Sequence, residues 1–240
     1  MVVGNGLLAK RFREYENNEA YLIFASGVSD SKTANRNVFE REANLLSASL
    51  NTCGERMFIY FSTCSIGDPD LLSTPYVVHK LAMEQLIAES AHRYCIFRLS
   101  NVVGAYGNPN TVLNFLFNSI QTGRRIELWK NSERNLIDID DVFLIVDYIL
   151  RHGLFKNSIV NIARQENYPI PLVVETIERY LNKKGNYDIL EKGTAFRIDT
   201  EPIVPILESL SLLREDLTLE SLLAKYYPTN LDHCLSDESV

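Results

Sequence analysis

The chain has 240 residues with 24 Lys plus Arg and 31 Asp plus Glu, a formal net charge of −7. Hydrophobic residues make up 46% and charged residues 23%, the balance of a globular domain, which excludes a disordered or low-complexity chain. The acidic excess argues against broad nucleic-acid binding, which needs a basic footprint, but leaves room for an anionic small substrate held by a few local cations.

Short apolar runs alternate with longer amphipathic stretches. Met1–Val3 reads as a clipped strand, followed by Gly4-Asn5-Gly6 and a helical stretch from Leu7 to about Glu16. Tyr21–Ala25 is a second strand, closed by Ser26-Gly27. A helix is predicted over about Val38–Leu50, with Phe39, Ala43, Leu46 and Leu50 at helical spacing. Met57–Phe61 is a third strand, Pro75–Ala91 a helix with proline in its first turn, and Tyr94–Phe97 a fourth strand. Continuous apolar strands separated by helices imply parallel pairing with both sheet faces covered.

Beyond Asn101 the rhythm loosens. Gly104, Gly107, Asn108, Pro109 and Asn110 mark a loop. A helix at Val112–Gln121, a strand at Ile126–Trp129, a helix at Asp141–Arg151, a strand at Ile159–Ile162 and a helix from Pro171 to about Asn182 follow. Gly185–Tyr227 mixes a short strand with helices, and Thr229–Val240 reads as a flexible polar tail. The expected class is α/β, a Rossmann-like parallel sheet with helices on both faces plus a small substrate-binding lobe. The core is placed at residues 1–110, with 140–165 returning to it, and the lobe at 111–139 and 166–228.

No apolar run approaches the roughly 20 residues of a membrane span, and no basic-then-apolar leader opens the chain. Cys53, Cys64, Cys95 and Cys234 form no CxxC pair. Reduced thiols and a cytoplasmic setting are therefore expected. His92, His152 and His233 lack metal-ligand spacing, and the acidic cluster Asp138, Asp140 and Asp141 suits a helix start without a metal, so no metal site is expected.

Two motifs carry chemistry. Gly4-Asn5-Gly6-Leu7-Leu8-Ala9 is a G-x-G-x-x-A run between a strand and a helix, a setting in which backbone approaches a diphosphate. The same string also occurs as a bare strand-to-helix turn. Tyr76 and Lys80 stand four residues apart on one helix face, so a nearby ammonium would lower the phenol pKa toward working pH. That would make Tyr76 a general acid/base, with Ser62 or Thr63 bonding the same substrate oxygen. Cys64 has no neighbouring His in sequence to activate it, Arg98 suits pairing with a buried carboxylate, and His79 points away from Lys80.

With these residues in view, the sequence resembles the extended branch of the short-chain dehydrogenase/reductase superfamily, the NAD-dependent sugar-nucleotide epimerases, dehydratases and reductases, over roughly residues 1–225. FIYFSTCSIGDP looks like the strand carrying the catalytic Ser/Thr, and places Thr63 at the position that bonds the sugar oxygen. PYVVHKLAMEQLI resembles the Tyr-x-x-x-Lys helix, which implies Tyr76 as acid/base and Lys80 as a contact to the nicotinamide ribose. FASGVSDS resembles a segment that passes the cofactor, which brings in Ser26 and Gly27. FRLSNVVGAYG and ERNLIDIDDV resemble the segments that place Asn101 and Arg134 on the substrate diphosphate and Asp141 as a structural aspartate. SIVNIARQENYPIPLVVETI resembles the strand and helix closing the substrate lobe.

The resemblance implies NAD or NADP as cofactor, a nucleotide-sugar substrate, a homodimer through helices at about 36–50 and 75–91, and a role in surface polysaccharide synthesis. Cys64 and Ser65 stand where a dehydratase has an Asp-Glu pair, which favours an epimerase or ketoreductase. Two departures stand out. Aligned through Gly6, Val3 replaces one family glycine and Ala9 another. The second and third strands of a dinucleotide fold, which hold the adenosine side, are missing between the first helix and Tyr21. A relative that keeps the fold and binds a ligand or partner without redox chemistry is the alternative, and a small carbonyl substrate is a further one.

Overall fold

The computed structural model describes residues 1–105, 108–213 and 218–228. One parallel sheet is built from Val2–Val3 (β1), Tyr21–Phe24 (β2), Met57–Thr63 (β3), Tyr94–Leu99 (β4) and Ser158–Ile162 (β9), adjacent in that order. All seven residues of β3 are buried, which fits an apolar run covered on both faces. Alternate side chains feed two separate cores. Ile23, Ile59, Phe61 and Phe97 face Phe12, Tyr15 and the helix Ile139–His152 (α5). Leu22, Phe24, Phe58, Tyr60 and Ile96 face the opposite way, against Arg36–Asn51 (α2) and Pro75–Ser90 (α3).

Local chemistry sets the helix ends. Asn35 caps α2 by accepting from the Asn37 amide, and Thr74 caps α3 by accepting from Val77, with Pro75 in the first turn. Asp138 caps α5, which stops at Gly153 in the left-handed region.

A third apolar cluster forms the smaller lobe. It joins Asn101–Val103 (β5), Val112–Thr122 (α4), Arg125–Trp129 (β6), Leu136–Asp138 (β8), Ile170–Leu181 (α6), Asn186–Leu190 (β11) and Leu219–Tyr226 (α8). β5 pairs with β8 and β6 with β11, both parallel, while Glu133–Arg134 (β7) pairs antiparallel with Tyr168–Pro169 (β10).

Three boundaries differ from expectation. The stretch Leu7–Glu16 is not one helix: Leu7–Arg11 (α1) ends and a 3-10 turn follows at Arg13–Tyr15. Phe12 leaves helical geometry there so that its ring can bury 5.0 Å from Phe61 and 5.1 Å from Phe143. Asn101–Val103 forms a further short strand ahead of the Gly104 loop. The segment carrying Ile203, Ile206, Leu207 and Leu212, including Val204–Ser209 (α7), packs on the main core and not in the lobe. Gly107 and the tail 229–240 lie outside the described residues.

The missing adenosine-side strands follow the expectation. β1 is the sheet edge, and the chain passes from α1 directly to β2, its neighbour. The Met1 amine donates to the carbonyls of Tyr15, Asn18 and Tyr21, each at 3.1 Å, so this connection runs past the start of β1, at the opposite end from Gly4.

Phe12 is fully buried among aromatic partners. We expect Phe12→Ala to cost about 3–5 kcal/mol, measured as a lower urea midpoint with unchanged slope.

Candidate active site

Ligands of open parallel sheets sit beyond the carboxyl ends of the strands. Here β3 ends on Thr63, and the loop and helix that follow bring Tyr76 back to it. The Thr63 hydroxyl stands near enough to the Tyr76 phenol to act on its pKa, and it accepts from the Ser65 amide at 3.1 Å. Thr63 is 7% exposed and Tyr76 6%, so both hydroxyls stand in a largely dry corner.

Lys80 lies one turn further along α3 and is 2% exposed. Its ammonium donates to Glu42 Oε1 and to the Tyr60 hydroxyl, both at 3.0 Å. Glu42, from α2, is wholly buried. It also accepts from the Tyr60 hydroxyl at 2.6 Å and the Val28 amide at 2.7 Å, and meets His79 Nε2 at 3.0 Å. His79 stacks on Phe39, with ring centroids 4.6 Å apart. Sequence reasoning missed Glu42. Its only signal is a carboxylate at an inward position of the helix, in line with Leu46.

These contacts set the charges. Burial would raise the Glu42 pKa, but His79, Lys80, Tyr60 and the Val28 amide outweigh it and hold the carboxyl at about 2. Burial lowers the Lys80 pKa, and Glu42 acts against that. The Tyr76 phenol is pushed up, by burial first, while the Thr63 hydroxyl opposes and Glu42 and Asp30 add to the rise. The expected lowering of the Tyr76 pKa by Lys80 is not found: burial, the largest cause, moves the phenol the other way.

Ser62 and Thr63 part company. As neighbours on a strand they face opposite ways, and Ser62 donates to Glu84 at 2.5 Å. Glu84 in turn takes Arg98 through two hydrogen bonds, at 3.0 and 2.6 Å. Arg98 thus pairs with a buried carboxylate as expected, and Ser62 is tied to that pair instead of to Tyr76. Cys64 donates to the Arg98 carbonyl, and burial pushes its thiol up to about 12, which suits no nucleophile.

The glycine turn lies on the same end of the sheet. Gly4 has φ +135°, and a Cβ there would stand 2.5 Å from the Ala25 carbonyl oxygen. A Cβ on Gly6, the N-cap of α1, would meet nothing within 4 Å, so this face of the turn is open. Asn5 is exposed, Leu8 packs on the main core, and Leu7 turns toward Gly104. The Ser26 carbonyl accepts from Arg41 at 3.2 Å. A Cβ on Gly27 would stand 2.7 Å from the Lys80 ammonium, so Gly27 lets the chain close over the ion pair.

Asn101 and Arg134 sit at the junction with the lobe. The Asn101 amide side chain donates to the Asn135 carbonyl at 3.0 Å, which fixes it against β8. Arg134 donates to its neighbouring Glu133 carbonyl at 2.6 Å. Burial lowers its pKa, while Asp68 and Asp70 act on it from a distance. Among the described residues it forms no ion pair. Asn135, another residue missed from sequence, is buried and bonds Arg164, Glu166 and Asn167, closing the lobe onto the core.

The donor set fits the nicotinamide and diphosphate half of a dinucleotide: an open glycine turn, then a hydroxyl pair at the next strand ends. Nothing among the described residues replaces the adenosine side beyond β1. Among them also, no cluster of His, Cys, Asp or Glu could hold a metal, and no helix is long and apolar enough to cross a membrane.

A family model described as "NAD dependent epimerase/dehydratase family" matches residues 18–163. This chain belongs to that family. An uncharacterized protein of Methanocaldococcus jannaschii, MJ1055, is 29% identical over 163 residues. The match covers 63% of this chain and 48% of the relative, so the chain spans about half the length of that curated protein. Among solved structures, RMD from Pseudomonas aeruginosa complexed with NADPH superposes with a TM-score of 0.69 at 16% identity, over 93% of this chain and 96% of that one. UDP-glucuronic acid 4-epimerase from Bacillus cereus, in complex with UDP-glucuronic acid and NAD, gives a TM-score of 0.68 at 19% identity, covering 93% and 77%. These likenesses show the Rossmann-like fold of this NAD-dependent family.

Glu42 gives a pH signature. Its folded pKa, about 2, lies below its ordinary value of 4.5. The stability it contributes is complete above 4.5 and is lost as pH falls toward 2. We expect Tm to drop across that window, and the drop to flatten in Glu42→Gln, as read by calorimetric melts at fixed ionic strength.

Proposed function

We propose that this chain is an NAD(P)-dependent epimerase or ketoreductase acting on a nucleotide-linked sugar. The observation that carries this is the Thr63–Tyr76 hydroxyl pair at the strand ends, beside an open glycine turn. The nicotinamide, when bound, supplies or accepts the hydride. Thr63 and Tyr76 orient one sugar oxygen between them, and Tyr76 moves the proton at that oxygen. Arg134, desolvated and without an ion-pair partner among the described residues, would take the sugar-linked diphosphate beside Asn101. The relatives in complex with NADPH, NAD and UDP-glucuronic acid support this choice of ligands. The setting we assign, from the family likeness alone, is cytoplasmic surface polysaccharide synthesis.

Calorimetry tests the cofactor, with NAD(H) and NADP(H) titrated into the chain. Binding is expected, and none up to millimolar concentration would overturn the proposal. Tyr76→Phe should leave nucleotide-sugar binding within about threefold and lower kcat by at least about a hundredfold.

A second reading, ligand binding without redox chemistry, is favoured by the bare edge at β1. Under it, thermal shift would find nucleotide sugars stabilising the chain and nicotinamide nucleotides leaving it unchanged.

We also propose a homodimer. Val78 and Leu81 on α3 are 56% and 41% exposed, and Leu72 just before the helix is 54% exposed. These apolar side chains would be covered by a second copy across a two-fold axis. Light scattering after size exclusion should give twice the chain mass, and a clean monomer would end the idea.

A further inference from the structure

On the function proposed above, the sugar held by Thr63 and Tyr76 lies between the strand ends of the core and the lobe. The segment after β2 bridges that gap. The Asn108 side-chain amide donates to the Ser29 hydroxyl at 3.0 Å, and the Asn110 side-chain amide donates to Asp30 Oδ2 at 3.1 Å, just ahead of α4. Asp30 also stands near enough to the Tyr76 phenol to act on it electrostatically. We propose that Asp30 is a specificity-determining residue that restricts the substrate to nucleotide sugars whose sugar carries no acid group, and so excludes uronic acids. The inference rests on the proposed function and narrows its substrate.

Three observations support it. First, the carboxylate is fixed. Asp30 Oδ1 accepts from the Lys32 amide at 3.0 Å, and the Asp30 carbonyl accepts from the Thr33 amide at 3.2 Å. The charge therefore cannot swing away from the gap without breaking its contacts on both sides.

Second, the charge is uncompensated. Both hydrogen-bond partners of the carboxylate are neutral amides, and among the described residues Asp30 forms no ion pair. Lys32, two residues on, turns its ammonium to the Phe115 ring instead, 4.9 Å from the centroid.

Third, the surroundings offer a sugar acid nothing to pair with. Glu42 holds Lys80, and Glu84 holds Arg98. Arg41 donates to the Ser26 carbonyl. Arg134 goes to the diphosphate in the proposed complex, and Asp68 and Asp70 already act on it. Arg197 is exposed, so water and salt screen its charge.

The hydrogen-bond chemistry agrees with the charge. An ionised carboxylate only accepts hydrogen bonds. A sugar hydroxyl can donate to Asp30, whereas a sugar carboxylate brings a second acceptor of the same charge. Such an acid would lose its water, meet Asp30 and gain no free cation in return, and like charges so placed cost affinity.

The test is calorimetric titration of the intact chain, with NAD present, by UDP-glucose, UDP-glucuronic acid and the uronamide of that acid, which keeps its shape without its charge. GDP-mannose, GDP-mannuronic acid and the matching uronamide are run in parallel to cover a second base. In the series that binds, the neutral sugar and the uronamide should agree within about threefold, and the acid should bind at least about tenfold more weakly. In Asp30→Asn the acid should recover to within about threefold of the neutral sugar. Asp30→Ser, which keeps an acceptor for the Lys32 amide, replaces that variant if it does not fold. An acid that binds the wild type as tightly as the neutral sugar would overturn the inference and leave the proposed function in place. A uronamide as weak as the acid would mean exclusion by shape and would also overturn it. So would a folded variant that still rejects the acid. No binding in either series would overturn the proposed function and this inference with it.

Discussion

The Glu42 carboxylate draws three separate parts of the chain to one point. A tyrosine from β3, a lysine and a histidine from α3, and a backbone amide after β2 all meet it. A buried charge of this kind is costly unless fully paired, and here every contact comes from an element that shapes the strand ends. The packing of α2 against α3 and the course of the chain at Gly27 both depend on it. The two hydroxyls of the candidate site stand next to this charge, so whatever they do is done under its influence.

A second network, Ser62–Glu84–Arg98, does the same one turn further along α3. Glu42 thus holds α3 at His79 and Lys80, and Glu84 ties the next turn of the helix to β3 and β4. Tyr76 sits at the helix start, where Thr74 and Pro75 fix the first turn. The phenol is thus held by rigid elements, which is the condition for a group that must meet a substrate oxygen at hydrogen-bond distance.

Much of the fold was legible in the sequence because its strands are continuous apolar runs bounded by turn residues. The absence of strands between α1 and β2 could be read the same way, since nothing between Asn17 and Tyr21 has the pattern of a strand. The break in the first helix was not legible, because Phe12 gives up helical geometry for a tertiary contact that no local pattern encodes. The site was legible at Thr63, Tyr76 and Gly4, where spacing and chain order carry the information. It was not legible at Glu42, which lies 38 residues from Lys80 in sequence. A partner that far away leaves no periodic trace, and so the charge state of the motif had to come from three dimensions.

The loss of outer strands has a further consequence at β1. A sheet must end somewhere, and a long apolar edge presents free amides and carbonyls to any passing strand. Here the outermost strand is two residues long and turns away at Gly4, whose φ of +135° breaks the extended ladder. An edge that short offers little length on which a foreign strand could register.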